Sequence, residues 1–192
     1  YAYMKHFALN DQEGNRNCMA ATWSNEQAIR EIYLKPFEMS VKDADCHAVM
    51  SSFNYIGNRW AGGCSELLQN VLRGEWGFLG FVETDYFGVY GYMTADQAVR
   101  NGGDLMLCTT GNDYNNVTVL TNSSKQAMRT AAKNILYTVV NSRAYDEENL
   151  NPGMAKWKIV LIGADVVAAL LIVGLEYTAI KNYKKRKEEE EV

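Results

Sequence analysis

Short apolar runs alternate four times with amphipathic helical patterns along the first 150 residues of the chain. The apolar runs lie at residues 3–8, 46–50, 80–85 and 105–108. The helical patterns begin near Ser24, Ser65, Thr94 and Asn122. A strand, a helix and a second parallel strand form a right-handed crossover, so this order predicts a parallel sheet of the α/β class. Four such units make half of an eight-unit barrel, although repetition alone also permits an open doubly wound sheet.

Local signals predict where two of the helices begin, end and pack. Ser24 and Gln27 have the spacing of a capping box, and Pro36 should end the helix that they start. The last helix should bury one apolar face, made of Met128, Ala131, Ala132, Ile135, Leu136 and Val139.

Residues 159–175 form an apolar stretch with eleven Ile, Val or Leu residues and a single acid, Asp165. The aliphatic residues favour insertion into a bilayer by about 5 kcal/mol, and one central Asp opposes it by about 3 kcal/mol. The balance predicts a transmembrane helix over residues 157–180, with Asp165 paired or hydrated near the outer face. A buried core helix or an amphipathic surface helix is the alternative.

Basic residues flank the apolar stretch unequally. Two lysines precede it, and five basic residues follow it: Lys181, Lys184, Lys185, Arg186 and Lys187. The larger positive cluster should stay in the cytoplasm. The sequence therefore predicts a single-pass protein of the cell membrane, with residues 1–150 outside, a linker at 151–156, and a charged cytoplasmic tail at 181–192 that includes Glu188–Glu191.

Composition and missing motifs exclude several classes of function. The net charge of −4 gives no electrostatic support for a nucleic-acid partner. The four cysteines lack a C-x-x-C pair, so neither a zinc ribbon nor a redox motif is indicated, and free, buried thiols are expected. A Gly-rich phosphate loop and an HExxH motif are also missing, so we predict no cofactor and no metal.

Polar and aromatic residues gather where three of the apolar runs end. Lys5 and His6 close the first run, Phe53 follows the second, and Asp85 and Tyr86 follow the third. In parallel α/β folds the reacting groups collect at the carboxyl ends of the strands. These residue types suit a sugar, which requires polar partners for its hydroxyls, an aromatic ring for its apolar face, and a carboxylate near the anomeric carbon.

Five ordered stretches resemble glycoside hydrolase family 3. Residues 5–16 (KHFALNDQEGNR) are similar to the family pattern KHF-x-x-N-x-x-E-x-x-R, and residues 30–38 (REIYLKPFE) to REIYLPPFE. Residues 49–54 are similar to VM-x-SYN, residues 72–86 to LR-x-EWGF-x-GFV-x-SDW, and residues 103–105 to G-x-DL. The resemblance covers residues 1 to about 145 and implies the C-terminal half of a (β/α)8 barrel, with about four βα units in residues 1–150.

The resemblance also implies roles for individual residues. Asp85 matches the nucleophile that forms a covalent glycosyl-enzyme intermediate with retention of configuration. The matches to residues that bind the sugar are Lys5, His6, Arg16, Phe53 and Tyr86. Phe53 stands where the family has a tyrosine and Tyr86 where it has a tryptophan, so both positions keep an aromatic ring. The expected substrate is a β-linked oligosaccharide or aryl glycoside of the β-glucosidase or β-xylosidase type.

The family places its general acid/base, a glutamate, on a separate domain that nothing in this sequence resembles. We therefore expect the chain to be a fragment of a membrane-anchored glycosidase whose missing N-terminal part carries that domain. The expected partners are that missing part and the lipid bilayer. The alternative is a non-catalytic, membrane-tethered sugar-binding or structural remnant, in which Asp85 would not be needed.

Glu83 lies two residues before Asp85 on the same predicted strand, so both side chains should point to one face of the sheet. An acid in the barrel interior needs a partner, and we expect a basic residue such as Lys5 to provide it. A bulge that turns Glu83 outward is the alternative.

Overall fold

The computed structural model describes residues 2–87, 90–109, 113–150 and 152–190. Two compact units make up the chain, Tyr1–Tyr145 and Asp146–Val192. Residue 151 of the predicted linker and residues 191–192 of the predicted tail lie outside the described residues.

The described residues of the first unit contain short strands that form two sheets. The strands are β1 (Met4–Phe7), β2 (Ala21–Thr22), β3 (Ala48–Ser51), β4 (Tyr55–Ile56), β5 (Arg59–Trp60) and β6 (Phe81–Glu83). The main sheet has the order β1-β3-β6 with parallel pairing throughout, and the small sheet has the order β2-β4-β5. Neighbours in the main sheet follow chain order without a reversal. A barrel has this order, and so does each half of a doubly wound sheet on one side of its switch point.

The fourth predicted run does not form a regular strand. A single parallel bridge joins Leu105 to Glu83, and the backbone N–H of Leu107 donates to the Thr84 hydroxyl instead of continuing the ladder. This run lies at the edge of the described sheet, so only β6 is available to pair with it. The expectation of four βα units is therefore met by three strands and one isolated bridge.

Helical segments connect and follow the strands. The α-helices are α1 (Glu26–Ala28), α2 (Lys35–Lys42), α3 (Ala95–Arg100), α4 (Asn122–Val140), α5 (Glu147–Leu150) and α6 (Lys156–Glu190). Two segments are π-helical, Ile29–Tyr33 and Glu66–Glu75. Short 3-10 helices lie at Ala61–Gly63, Asp113–Asn115 and Arg143–Tyr145.

Two predicted helix boundaries were wrong. Asn25, not Ser24, caps α1, because its side-chain oxygen accepts the backbone N–H of Ala28 at 2.8 Å. Pro36 does not end a helix but sits in the first turn of α2. The first turn has no partner for a backbone N–H, so proline is tolerated there.

The buried face of α4 differs from the predicted apolar face. Ala131 is buried as expected, but Leu136 is 61% exposed, and the inner face instead contains Asn134 and Thr138. The Asn134 amide donates to Asp104 at 2.9 Å, and the Thr138 hydroxyl donates to the carbonyl of Asn134. These partners compensate the burial of polar groups, so polar residues can occupy the inner face.

A buried ion pair joins the π-helix Glu66–Glu75 to the main sheet. Arg73 contacts the Asp104 carboxylate at 2.6 Å and donates to the carbonyl of Gly80 at 2.8 Å. Asp104 also accepts the backbone N–H of Val82 at 2.8 Å. Burial raises the pKa of Asp104 to about 6, although Arg73 and the hydrogen bonds act in the opposite direction.

Two hydrophobic clusters lie on the sheet. One packs Phe7, Val49 and Val82 of the strands against Leu68 and Leu72 of the π-helix. The other contains Phe53, Trp60, Phe87, Met93 and Ala98. The second cluster lies beside the carboxyl ends of the strands and supports the residues described below.

In the second unit, α6 runs from Lys156 to Glu190 and is exposed along the residues whose side chains are described. By length and composition, its residues Lys156–Lys187 could cross a membrane, with a hydropathy of 2.4. The helix starts one residue before the predicted span and continues to Glu190 in the predicted tail.

Candidate functional site

The end of β1 carries an irregularity that presents His6. Met4 pairs with Val49 and Phe7 with Ser51, so β1 uses one residue more than β3 over the same length. The extra residue falls at Lys5 and His6. A bulge of this kind bends the strand and redirects its side chains.

Asp85 follows β6 and is 8% exposed. Its Oδ1 accepts the backbone N–H of Tyr86 at 2.8 Å. Its Oδ2 lies 3.3 Å from Nε2 of His6 and 3.4 Å from Nη1 of Arg16. The carboxylate therefore accepts hydrogen bonds from Arg16 and from the Tyr86 backbone, with the His6 ring nitrogen 3.3 Å from Oδ2.

Arg16 is held from three directions. Its Nε contacts Glu13 at 2.7 Å, its Nη1 reaches Asp85, and its guanidinium lies 4.7 Å above the ring of Phe53. A planar guanidinium can make a fork of hydrogen bonds and stack on a ring at once. Glu13 and Arg16 thus form a local ion pair that also extends into the site.

Phe53 supports Arg16 from below and is itself supported by tyrosines that the sequence analysis missed. The Phe53 ring is 3% exposed and packs edge-on against Tyr90 at 5.4 Å. The hydroxyl of Tyr92 donates to the Phe53 carbonyl at 2.9 Å, and burial raises the pKa of Tyr92. The aromatic residues that follow Asp85 at 86–92 were the signal that could have indicated these supports.

Tyr86 and Lys5 complete the set of predicted site residues. The Tyr86 side chain is 37% exposed, and its hydroxyl lies 2.9 Å from the hydroxyl of Thr109. Lys5 is exposed and lies near enough to His6 for its charge to lower the pKa of that imidazole. The structure thus brings Asp85, His6, Arg16 and Phe53 together, with Tyr86 at their edge and Lys5 beside His6.

The pKa of His6 is lowered, and burial is the largest cause. Asp85 acts in the opposite direction, while the charges of Lys5 and Arg16 add to the lowering. Two cations beside a half-buried imidazole favour its neutral form. The lowered pKa thus favours the neutral imidazole, whose Nε2 lies 3.3 Å from Asp85.

The expected pairing of Glu83 with Lys5 was wrong. Glu83 shares a side-chain hydrogen bond with the phenol of Tyr3, one residue before β1. Burial raises the pKa of Glu83, and the Tyr3 hydrogen bond opposes that rise. A neutral phenol thus takes the place of the expected cation.

The cysteines match the expectation of buried thiols in part. Cys64 is buried, and burial raises the pKa of its thiol. Cys18 is exposed, while Cys46 and Cys108 are half-buried.

Comparison with known proteins identifies the family. Residues 1–136 match the description "Glycosyl hydrolase family 3 N terminal domain". Beta-glucosidase B of Emericella nidulans is 43% identical over 104 residues, which are 54% of this chain and 12% of that protein. A probable beta-glucosidase K of the same organism is 40% identical over 102 residues, or 53% of this chain and 12% of that protein.

Solved structures give the same result. Beta-glucosidase 3B from Thermotoga neapolitana in complex with glucose has a TM-score of 0.63 at 30% identity, covering 77% of this chain and 22% of that one. Beta-glucosidase from Kluyveromyces marxianus has a TM-score of 0.61 at 29% identity, covering 72% of this chain and 17% of that one. The chain therefore spans about an eighth of the curated relatives above and about a fifth of these structures.

Proposed function

The chain belongs to glycoside hydrolase family 3, and from that premise we propose that it forms part of a retaining β-glycosidase that removes terminal β-linked glucose or xylose. The observation that carries this proposal is the carboxylate of Asp85 at a strand end, with donors from His6, Arg16 and the Tyr86 backbone around it. The relatives named as β-glucosidases support glucosides as the substrate class.

We propose that Asp85 is the nucleophile and forms a covalent bond to the anomeric carbon, while the leaving group departs with a proton from a general acid. Contacts from His6 and Arg16 hold its Oδ2, and the backbone N–H of Tyr86 holds Oδ1. Such contacts fix the carboxylate in one orientation before substrate arrives, which lowers the reorganisation needed in the reaction.

His6, Lys5 and Arg16 would hydrogen-bond the sugar hydroxyls, and Tyr86 would offer its exposed ring to an apolar sugar face. The neutral imidazole of His6 can donate from one nitrogen and accept at the other. That versatility suits a hydroxyl, which both donates and accepts.

The proposal requires a second carboxyl group that acts as general acid and then general base, about 5–5.5 Å from the nucleophile. The chain covers only about an eighth of its curated relatives, so we propose that residues outside the printed sequence provide this group. The printed chain alone should therefore bind sugar without turnover.

We also propose that α6 anchors the protein in the cell membrane, with the sugar site outside. The helix is long and apolar enough to span a bilayer, and basic residues follow its apolar part. The exposed Asn116 begins an Asn-x-Thr glycosylation acceptor on the side that would face outward.

The nucleophile is tested in the full-length protein by incubation with a 2-deoxy-2-fluoroglucoside followed by peptide mass spectrometry. The label should lie on the peptide that contains Asp85, and Asp85→Asn should reduce hydrolysis of an aryl β-glucoside on the order of 10³-fold or more. The matched control is Asp45→Asn, because Asp45 lies 3.3 Å from Nε2 of His47 but is exposed and remote in sequence from the site. A label on another side chain, or full activity in Asp85→Asn, would contradict the assignment.

The topology is tested by expression in a eukaryotic host and treatment of intact cells with a glycosidase that removes N-linked glycans. Asn116 should carry a glycan and Asn116→Gln should lose it, with Asn58→Gln as a control because residue 58 begins no acceptor sequence. The outward orientation would be contradicted by a protein without a glycan. It would also be contradicted if protease added to intact cells left residues 1–150 uncleaved.

A further inference from the structure

A second concave surface lies beside the loop that delivers Arg16. It is a cavity of about 320 Å³, lined by Leu9, Asp11, Gln12, Ala21, Thr22, Trp23, Ser24 and Tyr33. Its size is at the lower end of the range for small-ligand pockets. None of these residues contacts Asp85 through a hydrogen bond or ion pair within the part of the chain that the structure describes.

The most exposed feature of this cavity is the indole of Trp23. Trp23 is 80% exposed, and Tyr33, which also lines the cavity, is 36% exposed. Within residues 2–87, 90–109, 113–150 and 152–190, the Trp23 ring packs on no other ring and donates no hydrogen bond. An indole presents a large, rigid apolar face at little cost in conformational entropy, and it has a polar N–H at its edge.

Polar groups converge on the same cavity. The Asp11 carboxylate is exposed and forms neither an ion pair nor a hydrogen bond among the described residues. The Gln12 amide donates from Nε2 to the carbonyl of Gly14 at 2.9 Å, which fixes the orientation of that side chain. A carboxylate and an oriented amide next to an aromatic face provide the acceptors and the stacking surface that a pyranose ring requires.

The floor of the cavity is rigid and is tied to the site described above. Thr22 lies on β2, and its hydroxyl donates to the carbonyl of Tyr55 on β4 at 2.8 Å. The buried Asn54 donates both to the Thr22 hydroxyl at 3.0 Å and to the carbonyl of Ala8 at 3.1 Å. Asn54 follows Phe53, which carries Arg16 on its ring, so one buried amide links the two surfaces.

From this arrangement we propose that the cavity lined by Trp23 and Tyr33 is a second carbohydrate site. One pyranose unit of a β-linked oligosaccharide stacks there on the Trp23 indole, and the hydroxyls of that sugar donate hydrogen bonds to the Asp11 carboxylate. The choice of a sugar as ligand rests on the proposed function. The site itself makes no use of Asp85, so binding there does not require catalysis.

The test measures tryptophan fluorescence during titration of the full chain, carrying Asp85→Asn, with cellobiose. The site around Asp85 should also bind sugar without turnover, so only the part of the signal that depends on Trp23 reports the second site. We expect saturable quenching, and we expect Trp23→Ala in the same background to weaken binding about tenfold or more, as truncation of an aromatic anchor does. Asp11→Asn should weaken binding less, because the amide keeps one acceptor.

The matched control is Trp157→Ala, which removes another strongly exposed tryptophan, at 63% exposure, from α6. This variant should bind cellobiose like its parent. Equal affinity in Trp23→Ala and Trp157→Ala, or no saturable signal in the parent, overturns the second site. Quenching that depends on Trp23 while full-length protein fails to hydrolyse any β-glucoside would leave the second site standing and the proposed function refuted.

Discussion

Removal of the Arg73 guanidinium should cost the first unit more stability than loss of any exposed ion pair. Arg73→Ala deletes the 2.6 Å contact to Asp104 and the hydrogen bonds to the carbonyls of Gly80 and Gly102. The Asp104 side chain is only 2% exposed, so its charge would lose its cation without gaining water. Such a loss costs about 3–5 kcal/mol.

We expect the lower end of that range, about 3 kcal/mol, because two neutral donors stay on Asp104. They are the backbone N–H of Val82 and the amide of Asn134. Asn134→Ala removes one neutral hydrogen bond and should cost about 1 kcal/mol. Arg30→Ala is the matched control, because Arg30 contacts Glu26 and Glu75 at the surface and should change stability little.

The loss in Arg73→Ala should also depend on pH. The pKa of Asp104 is raised to about 6 in the folded protein, from 3.8, so the folded state holds the proton more tightly than the unfolded state. The contribution of Asp104 to stability is therefore complete below pH 3.8 and declines as the pH rises through about 6. Without Arg73 this decline should extend to higher pH, since the cation that lowers the pKa of Asp104 is gone.

The assay is urea unfolding of the full chain in detergent micelles at pH 5 and pH 8, followed by tryptophan fluorescence, to which the buried Trp60 and the half-buried Trp76 contribute the change on unfolding. The expected order of destabilisation is Arg73→Ala, then Asn134→Ala, then Arg30→Ala, with the first variant weaker at pH 8. Equal loss in Arg73→Ala and Arg30→Ala, or a loss in Arg73→Ala that is the same at both pH values, would refute the reasoning.

Two further predictions concern the site. The chain has two histidines, so NMR titration should resolve His6 and give it a pKa below 6.5. In Asp85→Asn the pKa of His6 should fall further, because the carboxylate of Asp85 raises it. A higher pKa of His6 in Asp85→Asn would contradict this electrostatic account. Since the neutral form of His6 is favoured in the fold, the stability that it contributes should be lost as the pH falls through that lowered pKa. Arg16→Lys should reduce kcat/KM of the full-length enzyme about tenfold, because one ammonium cannot contact both Glu13 and Asp85 and also stack on Phe53. The control is Arg30→Lys, a substitution of the same kind at the surface. Equal activity in the two variants would show that the guanidinium of Arg16 is dispensable.

The strand positions could be predicted because β3 and β6 are largely buried and β1 buries Phe7 at its end, and burial determines hydrophobicity along a strand. The site could be predicted for a related reason. Parallel strands bring their carboxyl ends to one edge, so residues 79 positions apart, His6 and Asp85, meet at 3.3 Å. The reach of Arg16 to Asp85 required the family pattern, because a loop residue has no periodicity that predicts its direction.

The face of α4 could not be predicted because apolar periodicity considers only hydrophobicity. Asn134 and Thr138 are buried since each has a partner, and the partner of Asn134 lies 30 residues away. Long-range hydrogen bonds of this kind leave no local pattern. The same limit applies to Arg73, whose helical position gives no sign that Asp104 lies opposite.

The expected pairing of Glu83 with Lys5 rested on the alternation of side chains along β6, and the bulge in β1 changes which residues of the facing strand can reach Glu83. One extra residue between Met4 and Phe7 breaks the alternation of side chains between the two faces of the sheet. The face of a residue after the bulge can therefore not be counted from a residue before it. Tyr3 lies before the bulge and reaches Glu83, while His6 lies within it and reaches Asp85. The half-buried Glu83 and the buried Asp85, two residues apart, therefore have different partners from the N-terminal part of the chain. A regular β1 would carry Lys5 and His6 on opposite faces of the sheet, because side chains alternate along a strand. In the bulged strand the charge of Lys5 lies close enough to His6 to add to the lowering of its pKa, although burial is the larger cause.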